Sequence, residues 1–213
     1  MDTQKHISSA FDQDLTTLND ALQKLGDLAC QQLEGAMEGL AMQNQANLDK
    51  VIKGDAALDA LEAEINEKAI EVIAIRSPRA KDLRYVLVAL KVATILERMG
   101  DYARNIANRT KVIMTAGNEN IPGVNIGRMG QVTQEMVRDA MTSYQNRDAE
   151  MALAVWRRDI EVDHMHTAFH KEVLASMSRN PNMVGTGAHL LFIAKNIEPV
   201  SYTHLRAHET VDY

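Results

Sequence analysis

At 213 residues the chain is long enough to bury one large core or two small ones, and it is rich in the helix formers Ala, Leu, Glu, Gln, Lys and Met, with only 4% aromatic residues. The net charge is −6 and the lysines and arginines are scattered, which excludes nucleic acid as the expected partner because phosphate backbones demand gathered cations. A single cysteine, Cys30, excludes a disulfide framework and a cysteine-based zinc site.

Residues 1–20 are polar and lack the apolar core of a signal peptide. No stretch approaches the roughly 20 apolar residues that span a bilayer. The expected compartment is therefore the cytoplasm, with no direct membrane insertion. In the first helical segment Leu15, Leu18, Leu22, Leu25, Ala29 and Leu33 follow the three-four spacing of one buried stripe. A polar break at Gln43-Asn44-Gln45 precedes a second segment carrying Leu48, Val51, Leu58, Leu61, Ile65, Ala69 and Val72. Ser77-Pro78 ends it, since a residue before proline avoids helical backbone. A third segment bears Leu83, Val86, Leu87, Leu90, Ala93 and Leu96.

Gly117 to Val124 (GNENIPGV) reads as a linker. Beyond it Val132, Met136, Val137 and Met141 mark a fourth helix, and Ala152, Val155, Ile160, Phe169 and Val173 a fifth. After a turn at Arg179-Asn180-Pro181 a sixth is expected from His189 to Glu198-Pro199, where proline should stop it. The chain thus reads as all-α, two tandem antiparallel three-helix bundles over residues 1–117 and 124–198, the second cut short at its last helix. One register relates them: Gly54-Asp55-Ala56-Ala57-Leu58-Asp59 corresponds to Arg158-Asp159-Ile160-Glu161-Val162-Asp163.

Asp55 and Asp59 are spaced i, i+4 on the second helix, as are Glu97 and Asp101 on the third, so each pair shares a face. Asp59 and Glu97 each lie nineteen residues from Pro78, and Asp55 and Asp101 each twenty-three. At equal rise, an antiparallel hairpin brings the two pairs to one height. In the second unit Asp163 and Glu198 are equidistant from the Asn180-Pro181 turn. Asp159 is matched by Tyr202, where a carboxylate would complete the set. Four unpaired carboxylates beside a core are unstable unless cations neutralise them or their pKa values rise. Oxygen-only donors suit Mg, Ca, Mn or iron. The alternative is a solvated face paired with neighbours such as Arg98 and Arg104.

Weaker signals are a single Glu-x-x-His at Glu161 to His164, read as too sparse for a di-iron site, and His164, His166 and His170, read as surface histidines. No phosphate loop, nucleophile elbow or Cys/His dyad occurs, so no catalytic residue is assigned.

KHIS before the long first helix, the GD-x-x-x-D segment at Gly54, DLR at Asp82 to Arg84, LERMGDYARNIA from Leu96, NIPGVNIGRMG from Asn120 and HLLFIAKNIE from His189 together resemble the PhoU family over residues 5 to about 198. That resemblance implies a cytoplasmic, non-enzymatic regulator of phosphate uptake and of the phosphate-starvation response. Such proteins act as negative adaptors between the phosphate ABC transporter, through its ATPase subunit, and a sensor histidine kinase, and a homodimer is implied. The resemblance assigns a metal cluster of iron, or of manganese or magnesium, to Asp55, Asp59, Glu97 and Asp101, with Asn105 as an extra ligand. A second site retains Asp159, Asp163 and Glu198. A metal-dependent enzyme and a purely structural bundle are the competing readings. The family pattern fails after Glu198, where VSYTHLRAHET is similar to a translated transposon-end adapter; residues 199–213 are read as a sequence artefact.

Overall fold

A computed structural model describes residues 2–116, 124–146 and 148–208, with side chains over 10–116, 126–146 and 148–197. These residues form six α-helices and no strand: α1 Asp2–Met42, α2 Gln45–Arg76, α3 Lys81–Thr115, α4 Val124–Asn146, α5 Ala149–Arg179 and α6 Val184–His208, with a 3-10 turn at Pro181–Met183 before α6.

The stripe on α1 is buried as its spacing requires. At the break that follows, Gln43 adopts a left-handed φ of 51°. Asn44 then caps α2, its Oδ1 accepting hydrogen bonds from the Ala46 and Asn47 amides at 3.0 and 3.3 Å. That satisfies two of the four amide donors a helix start leaves open. The α2–α3 turn places two non-glycine residues at positive φ, Ser77 and Ala80, on either side of Pro78. Asp148 caps α5 by accepting from the Met151 amide at 3.0 Å.

α1, α2 and α3 pack on one another, as do α4, α5 and α6, and the two bundles meet through α1 with α4 and α3 with α6. α2 and α5 are the outer helices: among the described residues α2 neighbours only α1 and α3, and α5 only α4, α6 and the 3-10 turn. The internal repeat is visible in burial. Leu48, Val51, Leu58, Ile65 and Ala69 on α2 are buried, and so are Ala152, Val155, Val162, Phe169 and Val173 at the equivalent positions of α5.

One continuous apolar cluster runs through both bundles. Where α1 crosses α4 the Met37 side chain lies against the backbone of Gly130, because a Cβ there would stand only 2.8 Å from Met37 Cγ. Tyr85 of α3 stacks on Tyr144 of α4 with ring centroids 5.1 Å apart. Farther along α3, the Arg109 guanidinium lies 4.1 Å above the Phe192 ring of α6.

Residues 117–123 of the expected linker lie outside the described residues. α6 departs from the sequence expectation at both ends. It starts five residues before His189, because the 3-10 turn with its buried Met183 feeds straight into helical backbone. It also continues through Pro199 to His208. A proline forfeits the single hydrogen bond to the carbonyl four residues back, which here is a lost bond and not the end of the element. The side chains of Glu198 and Tyr202 lie outside the described ones.

Candidate functional site

The α2–α3 hairpin is laced by polar contacts that step in opposite directions along the two helices, as antiparallel packing demands. Lys111 Nζ donates to Asp49 Oδ1 at 2.7 Å, Arg104 Nη1 donates to Asp55 Oδ2, and Thr94 Oγ1 donates to Glu62 Oε1 at 2.9 Å. The mirror spacing about Pro78 is therefore a real registry between helices. It brings Asp55, Asp59, Glu97 and Asp101 into one acidic seam, and adds Glu62 one turn from Asp59.

Burial grades the members. Asp55 is 8% exposed, Glu97 and Asp101 are half-buried, and Asp59 is exposed. Arg104 also reaches Asp101 Oδ1 through Nη2 at 2.5 Å, so one guanidinium bridges the outer and inner helices. Desolvation lowers the pKa of Arg104, but its hydrogen bond to Asp55 and the charges of Asp101, Asp55 and Asp59 outweigh that and raise it above the usual value. Glu97 is held above the ordinary carboxylate range, first by burial and then by the negative charges of Asp101, Glu62, Asp59 and Asp55. Arg104 thus compensates the seam only in part. Asn105 is exposed, one turn beyond Asp101, and Arg98 is exposed as well.

The donor set, carboxylates alone on two facing helices, has the chemistry of a hard-cation site. Its side-chain geometry does not close into one: among the described residues no group of three or more His, Cys, Asp or Glu is arranged to hold a metal ion. Arg104 accounts for this, since its guanidinium engages both the most buried carboxylate of the seam and its neighbour across the hairpin. A cation would require Arg104 to release Asp55 and Asp101.

In the second unit Asp159 is half-buried and Asp163 exposed, both on α5, while Glu198 belongs to the side chains not described. The polar contacts there run to α4 instead. Arg158 donates through Nη2 to Glu135 Oε2 at 2.7 Å and through Nη1 to Asp139 Oδ2 at 2.9 Å. Sequence reasoning passed over that pair, although Glu135-x-x-x-Asp139 repeats the spacing of Glu97-x-x-x-Asp101. Each bundle therefore holds an arginine that joins two carboxylates across or beside its outer helix. His166 and His170 lie with ring centroids 6.0 Å apart, and His164 is exposed.

A model of the PhoU domain matches residues 22–110 and again 126–203, once per bundle. The chain is 34% identical over 196 residues to the phosphate-specific transport system accessory protein PhoU homolog of Caulobacter vibrioides, covering 92% of this chain and 85% of that one. It is 36% identical to the protein of the same description from Zymomonas mobilis, again over 92% of this chain and 82% of the relative. Among solved structures, PhoU from Pseudomonas aeruginosa superposes with a TM-score of 0.90 at 25% identity, covering 95% of this chain and 97% of that one. The phosphate transport system regulatory protein PhoU from Streptococcus pneumoniae has the same fold, with a TM-score of 0.87 over 95% of each chain at 23% identity.

Proposed function

The chain belongs to the PhoU family, and we propose that it is a cytoplasmic, non-enzymatic regulator that restrains phosphate uptake and the phosphate-starvation response. It does so as a homodimeric adaptor between the ATPase subunit of a phosphate ABC transporter and a sensor histidine kinase. The observation that carries this reading is the acidic seam on α2 and α3, in a chain whose relatives are named as accessory proteins of phosphate transport. No helix among the described residues is long and apolar enough to cross a membrane.

Asp55, Asp59, Glu97 and Asp101 would hold an iron, manganese or magnesium ion in the active regulator, and Arg104 would have to withdraw from Asp55 and Asp101. When bound, the cation supplies positive charge that neutralises the seam and ties α2 to α3. Without it, Arg104 performs part of that neutralisation and keeps the hairpin in register. Glu97, whose charge no cationic side chain among the described residues pairs with, is the ligand with most to gain.

The test is deletion of the gene followed by phosphate-uptake measurement and a starvation-promoter reporter in phosphate-rich medium. Loss of repression is expected, restored by the wild-type gene and not by Asp55→Asn/Asp101→Asn. An unchanged reporter in the deletion strain overturns the regulatory reading. Elemental analysis of anaerobically purified protein addresses the metal. A stoichiometric metal lost in the same variant supports it. Metal-free protein that gains no thermal stability from added Fe, Mn or Mg favours a second reading, a structural bundle whose permanent counter-cation is Arg104, as its ion pairs suggest.

A further inference from the structure

The outer face of α5 carries an apolar patch that the scaffold does not require. Leu153, Trp156 and Ile160 are 47%, 57% and 59% exposed, and Trp156 is the only tryptophan of the chain. At 100° per residue the three lie within about 60° of one another, a single stripe on the side turned away from α4 and α6. The repeat supplies an internal control. The equivalent positions on α2 are Asp49, Ile52 and Ala56: Asp49 is paired with Lys111, and Ile52 packs partly against the core. A three-helix bundle of this family thus forms without the stripe. Clustered exposed Trp, Leu and Ile on one helix face mark an interaction surface.

The charges beside the stripe identify what fits it. Arg157 and Glu161 sit on one flank, one turn apart, both exposed and neither ion-paired within the described residues. In two antiparallel copies of α5 related by a two-fold axis beside Asp159, Arg157 of each copy stands level with Glu161 of the other. A two-fold axis keeps this flank against the same flank of its mate, so both pairs form at once. In that register Trp156 of one copy falls within two residues of Ile160 of the other, about 3 Å along the axis at the usual helical rise. The patch is self-complementary in shape of charge and in apolar content.

We infer that the α5 face Leu153-Trp156-Arg157-Ile160-Glu161 is an isologous docking surface for a second copy of this chain. The inference rests on the self-association proposed above and assigns its location and register.

Analytical ultracentrifugation of the full chain tests it, up to about 100 μM to cover weak dimers. The wild type should sediment as a dimer. Trp156→Glu should be monomeric with unchanged helical circular dichroism. Arg157→Glu should weaken association about tenfold or more by setting like charges opposite each other, and Arg157→Glu/Glu161→Arg should restore it. Ile160→Cys should cross-link to itself on oxidation of the native dimer, a readout that survives if a glutamate variant fails to fold. A monomeric wild type overturns both self-association and this surface. A dimer indifferent to all these changes leaves self-association standing and overturns the surface. A charge swap that fails to restore the dimer overturns the register.

Discussion

Gly100 lies between Glu97 and Asp101 on α3, at the floor of the acidic seam, and its replacement by alanine sets two effects against each other. Alanine is favoured over glycine inside a helix by about 1 kcal/mol. Against that, a Cβ at this position would overlap Leu58 Cδ1 and lie 3.3 Å from its Cγ and 3.6 Å from its Cβ. Leu58 has no exposed surface and cannot swing into solvent. Extra volume forced into a packed core costs about 1–3 kcal/mol. Packing should therefore win, and Gly100→Ala should destabilise the protein by about 1 kcal/mol, seen in urea as a lower midpoint with unchanged slope. Leu58→Val removes the overlapping methyl, so the double variant should be more stable than the sum of the singles by about 1 kcal/mol. A Gly100→Ala protein stabilised by the full propensity difference, with no coupling to Leu58, would refute the close approach of α2 and α3 at the seam.

The Glu97 carboxyl, raised by burial and then by four neighbouring carboxylates, is higher in the folded protein than its ordinary 4.5, so its contribution to stability is complete below that value and is lost as pH rises through the folded pKa. Thermal melts of metal-free protein from acid to neutral pH should show this loss, and Glu97→Gln should flatten it; a variant with the full wild-type slope argues that Glu97 is not crowded. Burial, ahead of the neighbouring charges, pushes the Cys30 thiol up to about 11. At pH 8 roughly one thiol in a thousand is then thiolate, so a disulfide reagent should react slowly with folded protein and rapidly in urea; equal rates contradict the burial. Asn44→Ala removes the α2 cap and should cost about 1 kcal/mol in urea unfolding, and an unchanged midpoint would mean that solvent replaces the cap.

The periodic leucines of α1 and the matched spacing about Pro78 were enough to foretell the bundles and the meeting of Asp55, Asp59, Glu97 and Asp101. Both features are geometric consequences of helical rise and of a short turn. What stayed hidden depends on side-chain direction. Nothing in the spacing separates Arg104, which turns into the seam, from Arg98, which faces water, because a long flexible cation six residues away can take either path. Arg158 was aligned with Gly54 as part of the repeat, yet it serves Glu135 and Asp139 on α4, a helix whose acidic pair falls outside the hairpin symmetry. The proline at 199 misled for a different reason: it removes one backbone hydrogen bond, and a helix can run on past that single loss.

α3 is the one helix that borders both the seam and the other bundle, and its 35 residues make it a rod about 50 Å long. From Asp101 to Tyr85 is about 24 Å along that rod, so a tilt of only about 5° pivoting at the seam carries the Tyr85 ring about 2 Å across the face of Tyr144. The same tilt shifts Arg109, about two turns from Asp101 in the opposite direction, by about 1 Å over Phe192. Leverage in this molecule is therefore unequal: charge placed between α2 and α3 moves the distant tyrosine stack about twice as far as the nearer arginine. Rearranging the seam would therefore move the two ends of the joint between bundles in opposite senses, the tyrosine end farther than the arginine end.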